Sequence, residues 1–209
     1  MNQTVLSCID LITAGEMLNE RSLKHAMRAT SQMRISSQVF ESIKTLCLLG
    51  RGAPVPEAVV DLEDEARKAA GMLSTMLPDR DVRVDIRASD DKAVVRGGKM
   101  VYDVILDALT SMAQLDSSDV LSIDADIRQV KDGDAWEVRI SDEHASLPES
   151  FDTESPTADL DEKRSRTVRV AGLLLSKMMA ERLGGSVKAE AAEQGGCSLI
   201  ITLKAEVPE

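Results

Sequence analysis

Aromatic residues are scarce in this sequence: they make up 2% of its 209 residues, with one tryptophan, one tyrosine and two phenylalanines. A protein that stacks nucleic-acid bases relies on aromatic side chains, so the scarcity disfavours that class. The formal net charge of −11 points the same way, because phosphate backbones are bound through Lys and Arg. We therefore expect no nucleic-acid partner, and a core built from aliphatic side chains and methionine.

Cysteine is also rare, and the three that occur, Cys8, Cys47 and Cys197, lie far apart. None belongs to a close pair with metal-ligand spacing, so we expect no metal site and three small buried residues in a reducing compartment. The sequence has no apolar run of about eighteen residues and no signal-peptide pattern at its start. These absences predict a cytoplasmic protein without membrane insertion.

Proline is absent from residues 1–50, so long uninterrupted helices are permitted there. Apolar residues recur at helical spacing in two stripes, formed by Val5, Ile9 and Ile12 and by Ile35, Val39, Ile43 and Leu46. A turn at residues 15–20 would join them as a helical hairpin. Two helices alone bury their faces poorly, so we expect a homodimer through residues 1–50, paired as a four-helix bundle.

After a linker rich in glycine and proline at residues 51–56, residues 57–209 alternate between helical and strand patterns. This alternation predicts an α+β domain. The expected elements are, in order, a helix over residues 59–77, a strand at 82–86, a charged loop at 87–98, a helix over 104–114, a strand beginning at 138, a helix after 168 and two strands at 186–191 and 197–203.

The strand that begins at residue 138 ends in a turn containing Asp142, His144 and Ser146. This segment resembles the first glycine box of the histidine-kinase ATPase family, in which an aspartate after the strand binds adenine and two glycines follow. Asp142 stands at the aspartate position, whereas His144 and Ser146 stand at the glycine positions. Glycine accepts positive φ and lets the backbone approach a ligand, so the resemblance implies a box that has lost part of its chemistry.

The helix over residues 104–114 places Asp107 and Ser111 four residues apart on one face. It resembles the asparagine box of the same family, where two asparagines hold magnesium and phosphates. A carboxylate at Asp107 can still hold Mg²⁺, whereas the hydroxyl of Ser111 is a poorer ligand. Gln114 replaces the usual nearby base.

Residues 168–185 resemble the second glycine box, the helix after it and the glycine pair that ends this helix. A glycine-rich entry into a helix binds phosphate through free backbone N–H groups and the helix dipole. Of the three glycines expected before the helix only Gly172 remains, because Val168 and Val170 stand at the other two positions. Gly184 and Gly185 stand where the family ends the helix.

Taken together, the resemblance covers roughly residues 57–205 and implies a two-layer α/β sandwich of the histidine kinase ATPase type. The hairpin before it resembles the kinase dimerisation and phosphotransfer module. Asp142, Asp107, Ser111 and Gly172 would then form a vestigial nucleotide site. We expect no cofactor, with Mg-ATP as the alternative if that site is functional. The polar residues 149–166, where the family has its lid over ATP, predict a mobile loop.

His25 is the histidine whose surroundings point to chemistry, because a basic residue follows it by three positions, at Arg28. This context is similar to the kinase phosphoacceptor box and to the histidine-phosphotransfer motif. Ala26, however, replaces the acidic residue that would take a proton from the imidazole. His25 also falls on the second hairpin helix, whereas the kinases carry the acceptor on the first. An ordinary helix-surface histidine is the other interpretation.

Three functions follow from the resemblance. The first is a non-catalytic, histidine-kinase-like protein of a two-component pathway that binds a response regulator or a sensor kinase. The second is an ATP-independent phosphotransferase that relays a phosphoryl group through His25. The third is a divergent histidine kinase that uses Asp142 for adenine and Asp107 with Mg²⁺. The eroded boxes favour the first, so catalysis is not expected.

Overall fold

A computed structural model describes residues 2–15, 19–89, 92–130, 133–147, 164–191 and 195–206. The helices are α1 (Asn2–Gly15), α2 (Glu20–Gly50), α3 (Leu62–Met76), α4 (Lys99–Leu115) and α5 (Arg164–Arg182). The strands are β1 (Val59–Asp61), β2 (Asp81–Ala88), β3 (Val94–Arg96), β4 (Val120–Gln129), β5 (Ala135–Asp142), β6 (Ser186–Ala191) and β7 (Cys197–Lys204). The predicted fold class, a helical hairpin followed by a two-layer α/β sandwich, is confirmed.

The sandwich is built on a five-stranded sheet with the order β2-β4-β5-β7-β6. The β2–β4 pair is parallel and the other three pairs are antiparallel. Side chains alternate between buried and more exposed along β4 and β5, as expected when one face of a sheet is covered. Helices α3, α4 and α5 pack together on this side, and α4 is buried along nearly its whole length.

The hairpin is asymmetric, because α2 has 31 residues and α1 only 14. Asn19 caps α2 by accepting a hydrogen bond from the backbone N–H of Ser22 at 2.8 Å. Beyond the reach of α1, α2 continues along the sandwich and contacts α3, α4 and α5. The predicted stripe on α2 therefore does not face a single partner: Ile35 is buried against the sandwich, whereas Ile43 is 42% exposed. The division into separate domains at residues 51–56 stays a prediction.

The first helix of the sandwich begins later than predicted. Residues 59–61 form β1, which pairs with β3 inside the segment expected to be a charged loop. Asp61 then caps α3, because its Oδ1 accepts the backbone N–H of Glu63 at 2.9 Å. The partner strand lies far away in sequence, so helical periodicity alone could not reveal this pair.

The end of α5 matches its prediction. Gly184 has φ +73°, the left-handed conformation that commonly follows a helix. A Cβ at Gly185 would collide with the carbonyl oxygen of Thr202 on β7. This glycine pair therefore both stops the helix and allows close packing on the sheet.

Other expectations need correction. Cys197 is buried as predicted, but Cys8 and Cys47 are exposed because they lie on outer faces of the hairpin helices. Most of the predicted loop at 149–166 lies outside the described residues, and its last three residues, 164–166, belong to α5. Among the helices that the structure describes, none is long and apolar enough to cross a membrane.

Candidate functional site

Three of the four predicted nucleotide-site residues meet where α5 crosses α4. Gly172 lies at the crossing: a Cβ there would stand 2.6 Å from the Oγ of Ser111 and 3.1 Å from the backbone oxygen of Asp107. The Ser111 hydroxyl is fully buried and donates to that same backbone oxygen at 2.7 Å. The absence of a side chain at Gly172 thus lets two helices approach closely, with Ser111 turned toward its own helix.

The second glycine box is helical from its beginning. Because α5 begins at Arg164, the positions of the two missing glycines, 168 and 170, already lie within the helix, and so does Gly172. Only the first four N–H groups of a helix lack an intrahelical partner. The N–H of Gly172 comes after these four, so it is not free to bind a phosphate in the way the family resemblance implies.

Asp107 is nearly inaccessible, with 1% of its surface exposed. The side-chain amide of Gln38, on α2, donates to its Oδ1 at 3.0 Å, while its Oδ2 has no hydrogen-bond partner in the described part of the chain. Burial raises the pKa of Asp107 to about 7, against the hydrogen bonds from Ser42 and Gln38 that lower it. The pKa of this buried carboxyl therefore lies near neutral pH and not in the usual range of an aspartate.

Two residues at this site were missed by the sequence analysis. Ser176, one turn after Gly172 on α5, donates its hydroxyl to the backbone oxygen of Val104 at 2.9 Å. Small residues one turn apart on a helix are a usual signal for a close helix crossing, so Gly172 and Ser176 could have been recognised together. Gln38 gave no such signal, because its contact depends on how α2 lies against the sandwich.

Asp142 lies apart from the crossing, at the end of β5. Its Oδ1 accepts the backbone N–H groups of His144 at 2.7 Å and of Ala145 at 3.1 Å, which closes the turn. Its Oδ2 is buried and, among the residues described, has no hydrogen-bond partner. Burial raises the pKa of Asp142, while the two backbone donors lower it. Gly196 packs so closely here that a Cβ would collide with the Asp142 carbonyl.

The backbone of the turn after Asp142 accommodates the side chains of His144 and Ser146 in ordinary conformations. His144 and Ser146 are exposed, and no non-glycine residue in the described ranges has a positive φ. The strain expected from side chains at the family's glycine positions is therefore absent. The backbone N–H of Ser146 donates to the carbonyl of Leu115 at 3.4 Å, which ties the turn to the end of α4.

Two of the clefts that are lined by described residues open away from this crossing. The larger, about 510 Å³, lies between α2 and the loops at the ends of α3 and α4, with Arg28 and Arg80 among its lining residues. The smaller, about 330 Å³, lies at the end of β5 and includes Asp142 and His144. The three crossing residues line neither cleft. His25 is exposed on α2, one turn before Arg28.

The donor set does not fit a magnesium–phosphate group. At the crossing, the Ser111 hydroxyl is used by the backbone of α4, and Asp107 accepts from Gln38. Within the ranges the structure describes, no group of three or more His, Cys, Asp or Glu side chains is placed to hold a metal ion. Asp142 has an unpartnered oxygen next to a cleft, and such an oxygen is an acceptor of the kind that an adenine amine needs.

Solved structures of histidine kinases share this fold at low sequence identity. Acinetobacter baumannii histidine kinase AdeS is 13% identical, with a TM-score of 0.61 over 99% of this chain and 96% of that chain. Full-length ShkA in complex with AMPPNP is 13% identical, with a TM-score of 0.66 over 100% of this chain and 44% of that chain. The mycobacterial sensor histidine kinase MprB is 15% identical, with a TM-score of 0.57 over 71% of this chain and 97% of that chain.

The described fold is therefore that of histidine kinase ATPase domains preceded by a helical hairpin, as the three boxes predicted. No protein-family model matches the chain, and no curated protein matches it by sequence. The similarity that these comparisons show is one of shape.

Proposed function

We propose that this protein is a non-catalytic, histidine-kinase-like signalling protein of a two-component pathway, and that it works by binding a response regulator or a sensor kinase. The observation that carries this proposal is the α4–α5 crossing. Asp107, Ser111 and Gly172, the remnants of two boxes, take part in contacts within the protein. These residues bond and pack inside the protein instead of facing a ligand. Such a fold is suited to binding a partner rather than to catalysis.

Nucleotide binding is the property that tests the proposal. We expect the melting temperature to be the same with millimolar Mg-ATP, with Mg-ADP and with magnesium alone. A ligand present at about 100 times its Kd would stabilise the fold by roughly 2.7 kcal/mol, and a chain of this size would then melt some 5 to 10 °C higher. A shift of that size, or transfer of labelled phosphate from ATP to the protein, would rule the proposal out.

We also propose that the hairpin forms a homodimer. Its large exposed apolar side chains include Phe40, 64% exposed, and Leu48, 50% exposed, on α2, and Ile12, 56% exposed, on α1. A second copy would cover this surface by forming a four-helix bundle. A hairpin of two helices buries little apolar surface by itself, so this pairing is favourable.

Oligomeric state tests the homodimer. Light scattering coupled to gel filtration should give twice the chain mass of 22.6 kDa for the parent protein and a monomer for Phe40→Glu. Met72→Glu, an exposed apolar residue on α3, is the matched control and should remain dimeric. A monomeric parent protein would contradict the proposed bundle.

A second function, ATP-independent phosphotransfer, is favoured by the exposure of His25 on α2. An imidazole nitrogen would attack the phosphorus of a receiver-domain aspartyl phosphate. The P–O bond to the aspartate breaks, a P–N bond forms and the imidazole loses its N–H proton. This chemistry requires none of the nucleotide-binding groups. His25→Ala should abolish relay between response regulators, whereas His144→Ala, which alters the other exposed histidine, should not.

A third function, a divergent kinase, draws on the unpartnered Oδ2 of Asp142. The same melting experiment tests it, because a kinase must bind Mg-ATP. Asp142→Ala should then remove any nucleotide-dependent shift. If no shift exists in the parent protein, the third function is excluded.

A further inference from the structure

The face of α2 that meets the sandwich is mostly polar. Its buried residues are Thr30, Ser31, Ile35, Ser42 and Leu49. Only two of these are apolar, and apolar burial is not directional. Polar groups therefore make up much of the buried interface between α2 and the sandwich.

Several polar contacts join α2 to the sandwich, among them an exposed ion pair between Lys24 and Asp119 at 3.8 Å. The Ser31 hydroxyl donates to the carboxylate of Asp79, and the guanidinium of Arg34 donates to the backbone oxygen of Thr75. Both of these acceptors belong to the end of α3 and the loop after it. A further hydrogen bond, from Gln38 to Asp107, reaches α4 in the interior, where the Ser42 side chain also bonds this carboxyl.

The contact between Gln38 and Asp107 is specific in two ways. Asp107 is 1% exposed, so without Gln38 its carboxyl would lose a hydrogen-bond donor in a place that water does not reach. The side chain of Ser42, one turn later on α2, is shorter and itself accepts from the Gln38 amide at 3.4 Å. A shift of α2 by one turn would break this contact together with those of Ser31 and Arg34.

Among the side chains that the structure describes, the charged groups that act on the Asp107 carboxyl are Asp103 and Lys99, both on its own helix. From α2, the neutral side chains of Gln38 and Ser42 bond this carboxyl. On the side of α5, Gly172, which has no side chain, lies close to the backbone of Asp107. Within the described residues, the side-chain amide that bonds the carboxyl comes from the hairpin.

We infer that Asp107 acts as an interdomain anchor: it receives Gln38 and thereby fixes the position of the hairpin on the α/β sandwich. The residue at the place of a magnesium ligand in the family serves here to hold two parts of one chain in a single arrangement. A buried polar contact is well suited to this task, because it is satisfied in one register only. This inference stands independently of the proposed signalling function.

Distances between spin labels on the full-length chain test the anchor. The labels are placed at Lys44→Cys on α2 and Lys188→Cys on β6, both exposed, after Cys8→Ser and Cys47→Ser remove the exposed thiols. Dilution with unlabelled protein leaves only distances within one chain. The parent protein should show one narrow distance, because the anchor holds a single register.

Substitutions at Gln38 should then broaden or displace that distance. Gln38→Ala should raise the population of other arrangements roughly tenfold, the effect of losing one hydrogen bond to a buried group. Gln38→Glu, which places a second carboxylate against Asp107, should raise it further. Asp107→Asn keeps an acceptor oxygen and should retain the parent distance.

The matched control is Gln32→Ala, an exposed glutamine on the same helix, which should leave the distance unchanged. Circular dichroism of each variant establishes that the fold is intact before distances are compared. The inference is wrong if Gln38→Ala and Gln38→Glu both keep the parent distance, or if Gln32→Ala broadens it to the same extent.

Discussion

The α4–α5 crossing and the turn after β5 use the residues of the predicted nucleotide site in different ways. At the crossing, Ser111 and Gly172 lie within helices and serve the contact between them. At the turn, Asp142 has kept its place, and a single oxygen secures the turn while the other stays unpartnered. At the helix crossing, Ser111 and Gly172 contribute to packing between the helices. At the turn, Asp142 contributes hydrogen bonds that hold the turn itself.

The largest effect is expected from filling the crossing. Gly172→Val would force side-chain atoms into Ser111 and into the backbone of α4, so we expect the free energy of unfolding to fall by about 3 kcal/mol. Urea denaturation of the parent protein and of the variant measures this decrease in the free energy of unfolding. The matched control is Gly71→Ala on α3, where a Cβ meets nothing within 4 Å, and which should gain up to about 1 kcal/mol. If Gly172→Val unfolds like the parent protein, the helices are not in contact there.

The buried carboxyl at the crossing should make stability depend on pH. The pKa of Asp107 is about 7 in the folded protein, above its ordinary value of 3.8. Between about pH 4 and about pH 7 the folded protein therefore holds a proton on this carboxyl that the unfolded chain has released. Stability contributed by this group is therefore present below about pH 4 and is lost as pH rises to about 7.

The substitution Asp107→Asn tests this dependence, because it removes the charge and keeps an acceptor for Gln38. We expect it to raise the free energy of unfolding by about 2 kcal/mol at pH 8 and to change it little at pH 4. Asp85→Asn, an exposed aspartate on β2, should show no such difference between the two pH values. Equal effects of Asp107→Asn at both pH values would show that the carboxyl is not buried.

At the turn we expect a smaller loss. Asp142→Ala leaves the N–H groups of His144 and Ala145 without their acceptor, and should lower the free energy of unfolding by about 1 to 2 kcal/mol. Asp142→Asn keeps the accepting oxygen and should lose less. Thermal unfolding compares the two. Equal losses for Asn and Ala would mean that the charge, which both substitutions remove, stabilises the turn and that the accepted hydrogen bonds do not.

The smallest effect concerns the replaced glycines. His144→Gly combined with Ser146→Gly restores the family's residues at a turn that has no positive φ outside glycine, so only chain entropy changes. We expect a loss of about 1 kcal/mol in the free energy of unfolding and no binding of Mg-ATP, measured by calorimetry. Nucleotide binding by this variant would mean that the turn, rather than the crossing, is what blocks the site.

Several elements of the sandwich could be predicted from the sequence, because their signals are local, but β4 was not among the expected elements. The glycine pair at Gly184 and Gly185 and the alternating strands β6 and β7 lie within a residue of their predicted bounds. The pairing of β1 with β3 could not, since it joins segments distant in sequence and neither alternates long enough to reveal a strand.

The sequence indicated which residues form the candidate site, but it did not indicate which side chains they contact. Asp107, Ser111 and Gly172 were selected as a group, and they do meet. Their partner Gln38 was not foreseen, because the contact depends on where α2 lies on the sandwich, which no spacing within α2 encodes. Asp142, selected with them, is held by its own turn.

The close approach at Gly172 also affects how relatives of this chain should be compared. A glycine that admits a neighbouring helix is under selection from packing whether or not a nucleotide is ever bound. A glycine at the matching position of a related chain is therefore expected from packing alone. Gly172 is therefore informative about the architecture of a homologue and uninformative about its activity.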